Sequence, residues 1–182
     1  MIRQRVIAFC GTSWRPAKAR TLVEEVSADL ASRHGIETEI LDLVDAGPGV
    51  GAFSRDTLTP EALRVVEAIE QADALVIGSP VFQGSYPGLF KHVFDLVRPE
   101  AFKTRPVLLT ACGGGLRHSL VVEHQLRPLF GFFEASTVST AVYAGAAEFA
   151  DGTLSSTAVR LRIADAVDQF AAHLRTQRAT AA

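Results

Sequence analysis

The chain is short of several things, and each shortage excludes a class of protein. Of 182 residues only Cys10 and Cys112 are cysteines. That is too few for a disulfide-stapled scaffold and suits a reducing compartment. Basic and acidic residues nearly cancel, 18 against 20, so the basic field of a nucleic-acid binder is missing. No apolar run approaches the ~20 residues of a membrane span. The N-terminus reaches "VIAFC" after five residues, leaving no room for a secretory leader. These absences predict a cytoplasmic protein with no membrane and no nucleic acid among its partners. Neither the GxxxxGK[ST] spacing of a nucleoside-triphosphate loop nor the GxGxxG of a dinucleotide fold occurs. No Ser–His–Asp arrangement and no ligand-spaced Cys/His cluster is evident, so no metal ligand is nominated. His34, His92 and His173 read as surface or packing residues.

What the chain does have is an alternation of strand-like and helix-like stretches. "RVIAFC" (5–10), "ALVIGS" (74–79) and "PVLLTAC" (106–112) are short continuous apolar runs, the pattern of strands covered on both faces. "IETEILDL" (36–43) alternates, with Glu37 and Glu39 on one face, and suits an edge strand. "STVSTAVYA" (136–144) is rich in β-branched residues and suits the other edge. Leu22, Val26 and Leu30 mark a first helix. Leu63, Val66 and Ile69 mark a second, with Thr59 as its cap and Pro60 at its first position. Val159, Ile163, Val167, Phe170 and Leu174 mark a long last helix whose end, 175–182, should fray.

Parallel neighbours need crossover connections, so five strands with helices between them imply one α/β domain over 1–182 with a doubly wound parallel sheet. The expected order is the flavodoxin-like 2-1-3-4-5, with helices on both faces and the ligand beyond the carboxyl ends of the central strands. In that order Cys10 and Cys112 end strands one and four. Two strand spacings are about 9–10 Å, beyond the ~7 Å reach of a disulfide, so none is expected. The glycine-rich stretch "VDAGPGVGAFSRDTL" (44–58) reads as mobile or at an interface.

Three distinctive loops follow the central strands and should meet at one edge. "GTSWRPAKART" (11–21) runs from a strand into a helix N-terminus, where free N–H groups and the helix dipole attract an anion. Thr12, Ser13 and Thr21 add hydroxyls; Arg15, Lys18 and Arg20 add charge. A terminal phosphate monoester fits that chemistry. "GSPVFQGSYPGLFKHVFDL" (78–96) is stiffened by Pro80 and Pro87, and Phe82 and Tyr86 are placed to line a flat ring. "TACGGGLRHSL" (110–120) offers the N–H groups of a glycine run to carbonyl oxygens.

These strings, with "CGGGLRHSLVVEHQLRPLF", resemble the NADPH-dependent FMN reductases of the flavodoxin-like superfold over roughly residues 5–145. The likeness is strongest to the alkanesulfonate and methanesulfonate FMN reductases of two-component monooxygenase systems. The first loop departs from the usual "GSxR", with Thr12 for Ser and Trp14 where Arg is frequent. The resemblance implies that Thr12, Ser13, Arg15, Lys18, Arg20 and Thr21 surround the FMN phosphate. It puts Pro80, Val81, Phe82, Gln83 and Tyr86 along the ribityl chain and isoalloxazine, Gly113 and Gly114 at the pyrimidine side, and His118 either at the flavin or capping the next helix. It further implies hydride transfer from NADPH or NADH directly to FMN, with no catalytic side chain. Arg15 or Arg117 would lie near the nicotinamide's phosphates, and a flavin-dependent monooxygenase would receive the reduced FMN. Three other readings stay open: an FMN-retaining quinone, azo or metal reductase, a flavodoxin-type electron carrier, and a non-catalytic phosphate-ligand sensor.

Two helices look apolar nearly all round. Leu89, Phe90, Val93, Phe94, Leu96 and Val97 follow Pro87; Leu120, Val121, Val122, Leu126, Leu129, Phe130, Phe132 and Phe133 follow about Ser119. A surface helix should show a polar side, so a homodimer or tetramer through residues 88–97 and 119–133 is expected. Within the second helix Pro128 cannot donate to the carbonyl of His124. Either a π-bulge near His124 or a plain proline kink must result, and His124 is a candidate modulator of FMN retention.

Overall fold

The computed structural model describes residues 4–181, with side chains described as far as Gln177. Five parallel positions build the sheet: β1 (Val6–Cys10), β2 (Thr38–Asp42), β3 (Ala74–Pro80), β4 (Pro106–Gly113) and a final position shared by β5 (Ser136–Thr137) and β6 (Val142–Gly145). The order is β2-β1-β3-β4-β5, with β6 also on β4, as the crossover pattern predicts. Beyond it lies a small antiparallel pair, β7 (Phe149–Ala150) and β8 (Thr153–Leu154).

The period-two alternation of β1 sorts its side chains between two cores. Val6, Ala8 and Cys10 face α1 (Lys18–His34) and α6 (Thr157–Ala181), where Leu22, Val26, Leu30, Ile163, Phe170 and Leu174 are buried. Ile7 and Phe9 face α3 (Pro60–Glu70), α4 (Gly88–Asp95) and α5 (Arg127–Phe132). Each fully buried large apolar side chain of this kind stabilises the fold by about 1.5–3 kcal/mol. α1 lies close on the sheet because Gly78 has no side chain: a Cβ there would stand 2.2 Å from Val23 Cγ2. A short helix, α2 (Leu43–Ala46), is capped by Asp42, and Thr59 and Pro60 start α3 as expected. The frayed end expected at 175–182 extends past the described side chains; the backbone stays helical to Ala181, and Ala182 lies outside the described residues.

Three expectations need correction. The single edge strand at 136–144 is in two pieces. Between them the Val138 N–H still donates to Val107 of β4, and beyond it long side chains bind the backbone: Arg127 donates to the carbonyls of Val138 and Ser139, Arg162 donates to Ala141, and Gln169 accepts from the Thr140 N–H. The stretch 44–58, expected to be mobile or at an interface, is hydrogen-bonded to the body of the fold, while Phe53 within it is fully exposed. Short 3₁₀ turns occupy Pro48–Gly51 and Arg55–Thr57, Val50 is buried, Arg55 forks onto Glu70, and His92 Nε2 lies 2.8 Å from the carbonyl of Ala52. Most of the apolar surplus of residues 88–97 and 119–133 is consumed inside the chain. Phe94, Phe102, Phe130 and Phe133 pack on one another, and only Leu89, Leu120 and Phe132 of those two segments are clearly exposed.

The second segment is also not one α-helix. A 3₁₀ turn (Leu116–His118) leads into a π-helical turn (Val122–Leu126), and α5 follows. The N–H of Arg127 reaches back to the carbonyl of Val122. That wider turn accommodates Pro128, which has no N–H to return to His124. Of the two expected outcomes the chain adopts the π turn.

Candidate functional site

At the carboxyl end of β1 the first loop is held by its backbone. The Gly11 N–H donates to the carbonyl of Gly78 at 2.8 Å, and the Leu43 N–H donates to that of Thr12 at 3.2 Å. The buried Thr12 hydroxyl donates to the carbonyl of Trp14. α1 then begins at Lys18 with Ala17 in extended conformation, no side-chain cap and no acidic residue in its first turn. The first-turn N–H groups therefore remain available to an external anion. Lys18 lines the adjoining cleft, with Nζ 3.4 Å from the carbonyl of Ala146 and 5.8 Å from the ring centre of Phe149.

The other two cations of this loop turn away. Arg15 forks onto buried Asp42 (2.7 and 2.8 Å) and reaches Asp45 at 2.6 Å; Arg20 binds Asp42 and Glu24, both at 2.8 Å. Hydrogen bonds that Arg15 donates to Asp42 and, next in weight, to Asp45 hold its guanidinium well above its ordinary pKa. Burial works to raise the pKa of Asp45, but Arg15, the Asp42 N–H and Arg20 outweigh it and leave it lowered. The pattern of hydroxyls and cations predicted a shared phosphate site; the tertiary fold places three carboxylates beside two of the cations.

The second and third loops close the cleft. The Val81 N–H donates to the carbonyl of Cys112, carrying the β3–β4 pairing past Pro80. Phe82 and Ser85 exchange backbone hydrogen bonds across a tight turn, with Gln83 (φ 49°) and Gly84 (φ 88°) left-handed at its tip. Gln83 is exposed there, while Tyr86 packs on Phe90 in the core. The Tyr143 hydroxyl donates to the carbonyl of Gly115 at 2.6 Å and fixes the glycine run. Its pKa is raised, first by burial and then by Cys112 and Glu148.

The cleft these loops enclose measures about 340 Å³. It gathers Thr12, Lys18, Pro80, Val81, Phe82, Gly113 and Gly114 among the expected residues. Ser13, Arg15, Arg20, Thr21, Gln83, Tyr86 and His118 do not line it. Thr21 binds the carbonyls of Ala17 and Gly152, and the Arg117 Nε stands 3.1 Å from His118 Nε2. His124 is exposed on the π turn, whose Gln125 meets Ser85 of the second loop. Sequence reasoning missed Trp14, Pro16, Ala17, Ala19, Cys112 and Ala146 as walls. Small apolar residues carry no signal of their own, but a lone Trp beside a strand-end turn does. A larger hollow of about 500 Å³ lies at the opposite edge of the sheet, beside Pro106, Ser136 and His173. Ligands of open α/β sheets bind at the carboxyl edge, so the smaller cleft is the candidate.

The model of the NADPH-dependent FMN reductases matches residues 4–149. The chain belongs to that family. Like its family it is a flavodoxin-like NAD(P)H:FMN oxidoreductase. It is 43% identical over 176 residues to the NADH-dependent FMN reductase SfnF of Pseudomonas fluorescens, covering 94% of each chain. It is 40% identical over 168 residues to an FMN reductase (NADPH) of Pseudomonas aeruginosa, covering 92% of this chain and 90% of that one. Among solved structures, an oxidoreductase from Corynebacterium diphtheriae superposes with a TM-score of 0.80 at 28% identity, over 96% of this chain and 99% of the other. The cleft of this FMN reductase fits the flavin by the chemistry of its donors. An uncapped helix start with Lys18 suits a phosphate, two aromatic rings suit a flat heterocycle, and a glycine edge suits close approach of the ring.

Proposed function

We propose that the cleft holds FMN as a substrate that enters and leaves, with its phosphate at the start of α1 and its ring between the second and third loops. The observation that carries this reading is the neutralisation of Arg15 and Arg20 by Asp42, Asp45 and Glu24. Of the first loop's cations, only Lys18 then lines the phosphate end. Binding that rests on open N–H groups and a single lysine suits release of the flavin. FMN, when bound, supplies the ring that accepts hydride from the reduced nicotinamide.

The protein's own work is to bind, orient and dry. Thr12 holds the loop through the Trp14 carbonyl, Pro80 and Val81 support the ring's edge, and Gly113 and Gly114 leave its pyrimidine side open to backbone donors. Apolar walls exclude water from the reacting face, and orientation lowers the barrier. We take the nicotinamide donor to be NADH or NADPH, and the recipient of reduced FMN to be a flavin-dependent monooxygenase of sulfonate metabolism. The names of the Pseudomonas relatives support both. Self-association through exposed Leu89, Leu120 and Phe132 belongs to the same proposal, as does a reducing, cytoplasmic setting for the two free thiols.

The test is a titration of the purified protein with FMN and with riboflavin, followed by NADH and NADPH oxidation with free FMN as acceptor. Saturable FMN binding and turnover that rises with added FMN are expected. Lys18→Ala should weaken FMN about tenfold, the scale of a hydrogen bond to a charged group, and leave riboflavin unchanged. A yellow protein that ignores added FMN would instead point to a reductase that keeps its flavin.

A further inference from the structure

We propose that Trp14 is a contact for the flavin ring, forming with Phe82 an aromatic wall against which the isoalloxazine lies. This rests on the FMN reading of the cleft and adds to it a ring-binding residue at the position where the first loop departs from the usual pattern. The indole lies parallel to the Phe82 ring, 8° between planes and 5.2 Å between centroids, although the two come from different loops. Both rings line the cleft that Gly113 and Gly114 edge from the third loop. Trp14 is still 49% exposed, so much of its surface is open to a second flat partner. Its N–H makes no hydrogen bond among the described residues, leaving a donor for a ligand carbonyl or hydroxyl.

The wall is held in place before any ligand arrives. On one side of Trp14 the Thr12 hydroxyl binds the Trp14 carbonyl; on the other, Arg15 is forked onto Asp42. Phe82 is fixed by its paired hydrogen bonds to Ser85. A stacking surface already ordered loses little entropy on binding, and an aromatic stack adds about two- to tenfold in affinity beyond the area it buries. Flavin rings carry the same face whether or not the tail bears a phosphate. The contact therefore acts equally on FMN and riboflavin.

The experiment measures FMN and riboflavin binding to the wild type, Trp14→Ala and Trp14→Phe by change in flavin fluorescence, with circular dichroism confirming the fold. Trp14→Ala should weaken both flavins by a similar factor, about tenfold, while Trp14→Phe stays within about threefold of wild type. Trp14→Leu gives the same comparison should the alanine variant fail to fold. Unchanged binding of both flavins in Trp14→Ala overturns the proposal. Loss of FMN affinity alone also overturns it, because that would assign Trp14 to the phosphate loop's shape. A wild type that binds neither flavin overturns the FMN reading itself, a result separate from any variant.

Discussion

Replacing Asp42 by Asn removes one charge without changing shape, at the point where the first loop is tied to β2. Asp42 is fully buried and accepts from Arg15 Nε and Nη2, from Arg20 Nη1, and from the N–H groups of Val44 and Asp45. Asn keeps an acceptor for the α2 cap but turns an amide donor toward two guanidiniums. Breaking a buried ion pair costs about 3–5 kcal/mol. That is an upper bound here, since Arg15 is 41% exposed and Arg20 retains Glu24. About 2–3 kcal/mol is expected, which for a chain of this length lowers Tm by about 5–10 °C. Thermal and urea melts followed by far-UV circular dichroism read it directly. Binding carries a second consequence: freed from Asp42, the two arginines can turn toward the phosphate end, so FMN affinity should rise or hold while stability falls. A Tm within about 2 °C of wild type would refute the reasoning, because the network would then contribute no more than an exposed pair.

Two further perturbations test the core beneath the site. Burial pushes the Cys10 thiol up to about 12 and the Cys112 thiol up to about 11, from an ordinary 9.0. The unfolded chain ionises both above pH 9 while the folded chain does not, so their contribution to stability is complete below pH 9 and is lost as pH rises toward 11–12. The loss is about 1.4 kcal/mol per pH unit for each thiol. Cys10→Ala should therefore show a shallower alkaline decline in urea-melt stability than wild type, and identical slopes would count against it. Gly78→Ala should destabilise by about 1–3 kcal/mol through overpacking against Val23. Adding Val23→Ala should recover part of that loss; a double variant no better than the sum of the singles would show that the contact is not the cause.

Strands and sheet order were legible because local pattern and chain connectivity determine them. Continuous apolar runs marked β1, β3 and β4, and crossover connections left few orders for the sheet. The convergence of three loops on one cleft followed from the same topology. What local pattern does not encode is which partner a long polar side chain finds. Arg15 and Arg20 read as phosphate ligands until the fold brought Asp42 and Asp45 beside them. Arg127, Arg162 and Gln169 bind the backbone where the β-branched stretch 136–144 breaks into two strands. Trp14 became a wall of the cleft only when Phe82 came to lie against it. The sequence by itself thus determined the sheet, which rests on periodicity and chain order, and its loop motifs carried the resemblance to the family. Tertiary structure alone decided which charges stay free beside the cleft, because ion pairing between residues distant in the chain depends on where the fold sets them down.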